Sequence, residues 1–202
     1  MNPPAVQPWW LAHLGLISEA DAENAKVEGV SPEFCVFELR WVRIEILRER
    51  FSATATNVEA DKLRLRDLVC GIFSSLPHTP VAALGINRIV HHEMPSAESF
   101  HRIGDTLAPK DFWQRHLKEP GLKSLAILGR RTDDRPGEIN VFVRPILEQK
   151  NIVEISYNSH FQFPPKSLGK DVVPLLDGRI EATLKEGFAI SSSLIEDMGM
   201  RA

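Results

Sequence analysis

Apolar and polar side chains alternate through residues 34–56, which is the pattern of a half-buried β-strand. The alternation changes phase between Trp41 and Val42, because two apolar residues stand side by side there. One extra residue moves the apolar set of a strand to its other face. The segment therefore predicts either one strand bent by a β-bulge or two separate strands.

Residues 60–76 change to the spacing of an amphipathic helix. Pro77 and Pro80 end this helix, because proline lacks the backbone N–H that a helix interior requires. Spacing predicts further helices over residues 18–28, 96–107, 110–117 and 172–198. Gly187 is expected to break the last of these, since glycine is a poor helix former.

Alternation returns in the second half of the chain. It predicts strands over residues 81–93, 122–130, 138–147 and 151–163. Gly85 in the first of them indicates a bulge or a close backbone approach, and Pro145 suits an edge position or a strand end. The run Asp133-Asp134-Arg135-Pro136-Gly137 is typical of a hairpin turn.

Strands interrupted by helices predict an α+β fold, with a mostly antiparallel sheet, inserted helices and a long C-terminal helix on one face. No repeat or linker divides residues 34–202, which are predicted to form a single domain. Residues 1–33 carry one base and five acids, and Trp9 and Trp10 lie beside prolines. We predict an N-terminal arm here that packs on its own domain or docks on another subunit, with Trp9 and Trp10 as the partner-binding residues.

Composition limits the class of protein. The 202 residues are 43% hydrophobic and 25% charged, which is ordinary for a globular protein. No apolar run approaches the roughly 18–20 residues that cross a bilayer, so no membrane partner is expected. Cys35 and Cys70 both lie in apolar stretches, and the first residues lack a secretory pattern. These features predict a reduced, cytoplasmic protein.

The net charge of −3 (24 − 27) conceals a segregation of charge along the chain. Residues 1–33 and 171–202 are acidic, whereas residues 40–66 are basic. The basic segment predicts a nucleic-acid-binding face as one alternative. Its candidate residues are Arg43, Arg48, Arg50, Lys62, Arg64 and Arg66. The interleaved acids favour the other alternative, in which the acidic ends pair with the basic middle, within or between subunits.

Motifs for catalysis are absent from the sequence. There is no Gly-x-Ser-x-Gly elbow, no phosphate-binding glycine loop and no Cys-x-x-Cys pair. We therefore predict no catalytic residue, no cofactor and no enzyme activity. His92, Glu93 and His101 could form a three-ligand metal site as an alternative. His91 and His92 cannot share one metal on a regular strand, because neighbouring side chains point to opposite faces.

The strand beginning Pro80-Val81-Ala82-Ala83-Leu84-Gly85-Ile86-Asn87-Arg88-Ile89 carries a Leu-Gly-hydrophobic-x-x-Ile motif. Together with the later alternating strand over 152–161, it resembles a sporadically distributed family of uncharacterised bacterial proteins. The resemblance covers residues 34–163 and concerns structure, so it implies no site residues. It does imply a bacterial or phage-associated protein.

The sequence as a whole predicts a non-enzymatic protein-interaction module that associates with itself through a sheet edge or the Trp-bearing arm. The resemblance extends this expectation to an accessory or inhibitory role in conflict between phage and host. The nucleic-acid-binding subunit and the metal-dependent enzyme stay open as alternatives.

Overall fold

The computed structural model describes residues 1–198 and shows an α+β fold with two four-stranded antiparallel sheets. Contacts group the chain into two compact units. The first unit joins residues 1–82 with 164–181, and the second joins residues 83–163 with the described residues from 182 onward. This grouping differs from the predicted one, in which residue 34 begins a single domain.

The first unit is a sheet of four strands covered on one side by helices. Its elements are a 3₁₀ helix (Pro3–Ala5), α1 (Pro8–His13), α2 (Glu19–Glu23), β1 (Lys26–Val30), β2 (Phe34–Glu38), β3 (Val42–Leu47), β4 (Phe51–Ala55) and α3 (Val58–Ser75). The strands follow one another in the order β1-β2-β3-β4, each antiparallel to the next. Every strand therefore pairs with its neighbour in sequence.

The prediction of one or two strands over residues 34–56 is wrong, because the segment forms β2, β3 and β4. The phase change after Trp41 is a turn, in which the Leu39 N–H donates to the Val42 carbonyl at 2.9 Å. The pairing of β2 with β3 is regular, so the expected bulge is not there. An irregular register occurs instead between β1 and β2, at Val27 and Gly29.

The helix predicted over residues 18–28 is shorter than expected. Ser18 caps α2 by accepting a hydrogen bond from the Asp21 N–H at 3.0 Å, but the helix ends at Glu23. Residues 26–30 form β1, which pairs with β2. This strand has five residues, most of them exposed, so its sequence shows little of the alternation between apolar and polar residues that identifies a strand.

One apolar core joins the N-terminal residues, the sheet and α3. Asn57 caps α3 by accepting a hydrogen bond from the Ala60 N–H, which confirms the helix predicted here. The fully buried members of this core include Val6, Leu11, Cys35, Phe37, Ile44, Ile46 and Ile72. The predicted arm, residues 1–33, is thus packed against the strands that follow it.

The second unit is also a sheet covered on one side. Its elements are β5 (Ala83–Glu93), α4 (Ala97–Leu107), α5 (Lys110–Trp113), β6 (Leu125–Arg130), β7 (Gly137–Ile146) and β8 (Ile152–Gln162). The strand order is β5-β8-β7-β6, so the last strand in sequence lies between the first and the third. The hairpin predicted at residues 133–137 is confirmed, with positive φ angles at Asp134 and Gly137.

Two predictions about special residues in this sheet have different outcomes. β5 pairs with β8 in one regular register, so Gly85 marks no bulge. A Cβ at Gly85 would lie 3.0 Å from the Asn158 side chain, so a side chain, and not another backbone segment, comes close to this glycine. Pro145 lies beyond Val143, where the pairing of β6 with β7 stops, and one side of β7 is therefore open there as expected.

A long C-terminal helix, α6 (Gly169–Asp197), is confirmed and is continuous. Residues 169–181 belong to the first unit, and the residues from 182 onward belong to the second. The predicted break at Gly187 is wrong, because this glycine packs against the ring of Tyr157, where a Cβ would lie 2.7 Å from Cδ1. Within the described residues, none of the helices combines the length and apolarity that crossing a membrane requires.

Candidate protein-interaction site

The second sheet has one covered face and one open face. Along β8, the alternate residues Val153, Ile155, Tyr157, Ser159 and Phe161 are buried. On this covered side, α4 supplies Ile103, which packs with β7 and β8 in the second core. The residues between them point the other way, because neighbouring side chains on a strand point to opposite faces. We call this second side the open face.

The open face is organised in rows of directly paired residues across the four strands. The Asn158 row holds Asn87, Asn158, Asn140 and Leu128. The Phe142 row beside it holds Ile89, Ser156, Phe142 and Ala126. Phe142 is 45% exposed and Leu128 is 63% exposed, and Ile89 is similar. These two central rows contain no charged side chain.

Charged residues lie in the rows on either side of this centre. The Glu154 row holds His91, Glu154 and Arg144. The His160 row, on the other side, holds Gly85, His160, Glu138 and Arg130. An uncharged centre with charged ends is the distribution that protein interfaces show.

Glu154 is the anchor of its row. Its carboxylate accepts hydrogen bonds from His91 Nε2 and from the Arg144 guanidinium, both at 3.0 Å. Partial burial by itself raises the pKa of Glu154, but the two hydrogen bonds outweigh it and leave the pKa below its usual value. Glu154 is therefore ionised near neutral pH.

Beneath the sheet, a buried polar cluster fastens the β6–β7 turn to β8. The Arg131 side chain is 6% exposed and pairs with Asp133 through two hydrogen bonds of 2.9 Å. It also donates to Ser159 Oγ at 2.5 Å and lies 3.7 Å from the centre of the Phe161 ring. Because each polar group has a partner within the cluster, its role is structural.

Tyr157 and the cysteines offer no reactive nucleophile. Burial raises the pKa of Tyr157 to about 12, and the nearby Glu186 adds to the rise. Burial also raises the pKa of the Cys35 and Cys70 thiols. A thiol or phenol must lose its proton to attack, so these groups are poorly suited to nucleophilic catalysis at neutral pH.

The structure separates the two tryptophans that were predicted to bind a partner. Trp9 in α1 is 59% exposed, whereas Trp10 is half-buried and packs against the core of the first unit. The sequence allowed this segment either to pack on its own domain or to dock on a partner, and the two tryptophans differ in this respect. Trp9 alone presents most of its ring to solvent.

All six bases of the predicted nucleic-acid-binding segment take part in ion pairs. The pairs are Arg43 with Glu28, Arg48 with Glu33, Arg50 with Glu45, Lys62 with Glu59, Arg64 with Asp21, and Arg66 with Asp67 and Asp177. Asp21, Glu28 and Glu33 belong to the acidic N-terminal segment. The pairing of acidic ends with the basic middle therefore occurs in these contacts. A phosphate would have to displace a carboxylate at each base, which reduces the electrostatic gain of binding.

The residues of the alternative metal site have other partners. His92 Nε2 and Ser191 Oγ share a hydrogen bond of 2.6 Å. Burial lowers the pKa of His92, and the charge of His91 lowers it further. The His101 ring lies edge-on to Phe100 on α4. Within residues 1–198, no three His, Cys, Asp or Glu side chains, including His92, Glu93 and His101, come together in a way that could hold a metal ion.

The open face could be inferred from the sequence only in part. The alternation of residues 151–163 shows that β8 has two unlike sides. The rows could not be found, because they depend on β8 lying between β5 and β7, which no local pattern states. The uncharged centre becomes visible only when residues from four strands are aligned.

No protein-family model, curated protein or solved structure matches this chain.

Proposed function

We propose that the protein is a non-enzymatic interaction module that associates with a second copy of itself through the open face of the second sheet. The observation that carries this proposal is the distribution of charge on that face. Its two central rows expose Ile89, Leu128 and Phe142 without a charged side chain, and the charged residues flank them. Charged residues are depleted from the centres of interfaces, because their desolvation is costly there.

Self-association is favoured over nucleic-acid binding by the sign of the charge. The open face carries Arg130 and Arg144 against Glu93, Glu138 and Glu154, which gives −1 (2 − 3) with neutral histidines. Phosphate binding needs a basic surface. A second copy brings the same bases and acids, so opposite charges can meet.

The test is the mass of the purified protein in solution. Sedimentation over a wide series of protein concentrations is expected to show a dimer that Phe142→Glu dissociates. The introduced charge would be buried without a partner, so we expect a weakening of at least about a hundredfold. The mass is measured with the circular dichroism spectrum of each variant, which reports folding.

Two variants serve as matched controls for Phe142→Glu. Phe34→Glu places the same change at an exposed phenylalanine of the first sheet and is expected to leave the dimer intact. Trp9→Ser tests the alternative surface, the exposed tryptophan. A dimer that Trp9→Ser dissociates and Phe142→Glu does not would contradict the proposed surface, and a wild-type monomer at every concentration would contradict self-association.

The expectation of a role in conflict between phage and host stays a proposal that depends on the resemblance of residues 34–163. If it holds, expression of the protein in a bacterial host should change the number of plaques that a phage forms. The variant Phe142→Glu should lose this effect together with the dimer. An effect that is equal for both proteins would separate the role from self-association.

A further inference from the structure

The open face restricts how two copies can pair. In a symmetric dimer, both copies use the same surface. If one residue contacts a second residue of the partner, the second residue also contacts the partner's copy of the first. A twofold axis lying between two facing sheets keeps the strands of the two copies aligned only if it runs along the strands or across them. β8 and β7 are the two middle strands of the second sheet, so an axis along the strands would pass between them. Each residue of β8 then faces the partner's copy of its own neighbour on β7.

This first arrangement matches large side chains with small ones in the Phe142 row. Phe142 is paired laterally with Ser156, so it faces Ser156 of the partner subunit. Ile89 and Ala126 lie on the two outer strands of the same row, so they too face each other across the interface. Each large apolar side chain is therefore received by a small one, as close packing requires.

The same arrangement also matches opposite charges in the flanking rows. Glu154 faces Arg144 of the partner subunit, and the reverse contact follows by symmetry. His160 faces Glu138 of the partner subunit in the other flanking row. No like charges of the two middle strands are brought together.

An axis across the strands, between the Phe142 row and the Asn158 row, gives a poorer match. Phe142 would face the partner's Asn140, and Ile89 would face the partner's Asn87. Asn87 would keep its hydrogen bond from Asn158, and Asn140 its hydrogen bond to Glu138, but their remaining polar atoms would be buried against apolar side chains. The charged rows would still be complementary, because Glu138 would face the partner's Arg144. The axis along the strands makes one kind of contact between an apolar side chain and an amide, Leu128 over the partner's Asn87, whereas the axis across the strands makes two. Packing, and not charge, therefore distinguishes the two axes.

We infer that the dimer has its twofold axis parallel to the strands, between β7 and β8 of the second sheet, so that Glu154 pairs with the partner's Arg144 and Phe142 packs over the partner's Ser156. The inference depends on the proposed function. The available area is sufficient: four strands about 4.8 Å apart, with roughly ten residues of about 3.4 Å each, give a face of roughly 650 Å². A standard interface takes about 800 Å² from each partner, and the rim residues add to the face.

The test uses charge reversal and mixing of two variants. Arg144→Glu and Glu154→Arg each place like charges opposite each other in a dimer of the single variant, so each is expected to weaken the dimer at least about tenfold. An equimolar mixture of the two variants restores an opposite pair at both contacts. We expect heterodimers to form with an affinity within about threefold of the wild-type dimer.

A mixture of Arg144→Glu and Glu138→Arg is the matched control. It would restore opposite pairs only if the axis ran across the strands. Under the inferred arrangement residue 138 faces the partner's His160, so Glu138→Arg alone leaves the dimer close to wild type. Each heterodimer of this mixture keeps one repulsive contact, between the substituted residue 144 and Glu154, and therefore stays weaker than the wild-type dimer. Recovery in the control and not in the first mixture would overturn the inferred axis.

Ser156→Trp provides a second test that does not alter charge. The residue lies on the open face of a strand, where tryptophan is compatible with the fold. It fills the space that receives the partner's Phe142, so we expect it to weaken the dimer at least about tenfold. A dimer as strong as wild type would overturn the arrangement even if Glu154→Arg failed to fold.

The outcomes separate the arrangement from the proposed function. Suppose that Phe142→Glu dissociates the dimer, that the mixture of Arg144→Glu and Glu154→Arg forms no strong heterodimer, and that Ser156→Trp does not weaken the dimer. These results together would overturn the axis and leave self-association through the open face standing. A wild-type monomer would overturn both.

Discussion

The outer faces of the two sheets differ in where their charges lie. On the first sheet, Glu38 pairs directly with Arg43, and Val36 pairs with Glu45 on the neighbouring middle strand. The centre of this outer face is therefore charged, and Arg43 is also paired with Glu28. On the second sheet the centre is uncharged and the charges flank it. Because charge costs most at the centre of an interface, only the second outer face is suited to burial.

The amount of exposed apolar surface would not have separated the two faces. Phe34 is exposed on the first sheet at 39%, close to the 45% of Phe142 on the second. The surroundings differ, because the Phe34 ring lies over Gly29 of its own sheet, where a Cβ would lie 2.7 Å from Cε2. The first ring thus has a partner within its sheet, whereas Phe142 lies in a row with small neighbours.

The largest stability difference between the two units is expected from their arginines. Arg131→Met removes a guanidinium that is almost fully buried, together with its hydrogen bonds to Asp133 and Ser159. We expect a loss of about 2–3 kcal/mol in the free energy of unfolding. Arg43→Met, in an exposed pair of the first sheet, is expected to cause no measurable change. Urea unfolding of both variants checks this, and equal losses would contradict the structural role of the Arg131 cluster.

A smaller difference is expected from two helical glycines. In Gly187→Ala the new Cβ meets the buried Tyr157 ring, which cannot move away, so we expect a net loss of about 1–2 kcal/mol after the gain in helix propensity. In Gly71→Ala the Cβ meets the tip of the half-buried Leu16 side chain, which can rotate. That variant is expected to be as stable as wild type or more so. Thermal unfolding compares them, and a greater loss at Gly71 would show that Leu16 is held rigidly.

The smallest effect concerns the covered face of the second sheet and depends on pH. The pKa of His92 is lowered in the folded protein, so the unfolded chain binds the proton more tightly. Stability should therefore fall as the pH drops below 6.5, the ordinary value, toward the lower pKa of the folded protein. His92→Gln should remove this slope in unfolding measurements. Ser191→Ala retains the imidazole and should retain the slope, and a slope that persists in His92→Gln would assign the effect to another group.

Local signals in the sequence were sufficient for several elements. Helix α3 has regular apolar spacing and an Asn57 cap, and the turn at residues 133–137 has residues suited to positive φ. They were insufficient where a short element is mostly exposed, as in β1, or where a turn is tight enough to resemble a bulge, as after Trp41. A single glycine was also misleading, because Gly187 allows close packing in α6 instead of ending the helix.

The candidate site could be predicted only in part for a different reason. The segregation of charge was visible in the sequence, and it predicted that acidic ends pair with the basic middle, as they do in ion pairs of the first unit. Trp9 could be proposed from its context, although its neighbour Trp10 could not be distinguished from it. The open face depends on pairings between residues far apart in sequence, such as Asn87 with Asn158 and Glu154 with His91.

The strand order of the second sheet has a consequence for the chain while it is being synthesised. The first sheet joins sequence neighbours, so its pairing can be complete once residue 55 has left the ribosome. β5 has no strand to pair with until β8 appears, because β8 is its neighbour in the sheet. The backbone N–H and C=O groups of β5 therefore have no partner strand while about 60 further residues are synthesised, and pairing between distant segments is slow to form. The nascent chain thus carries a completed first sheet and a second sheet that cannot close until β8, the last strand, is made.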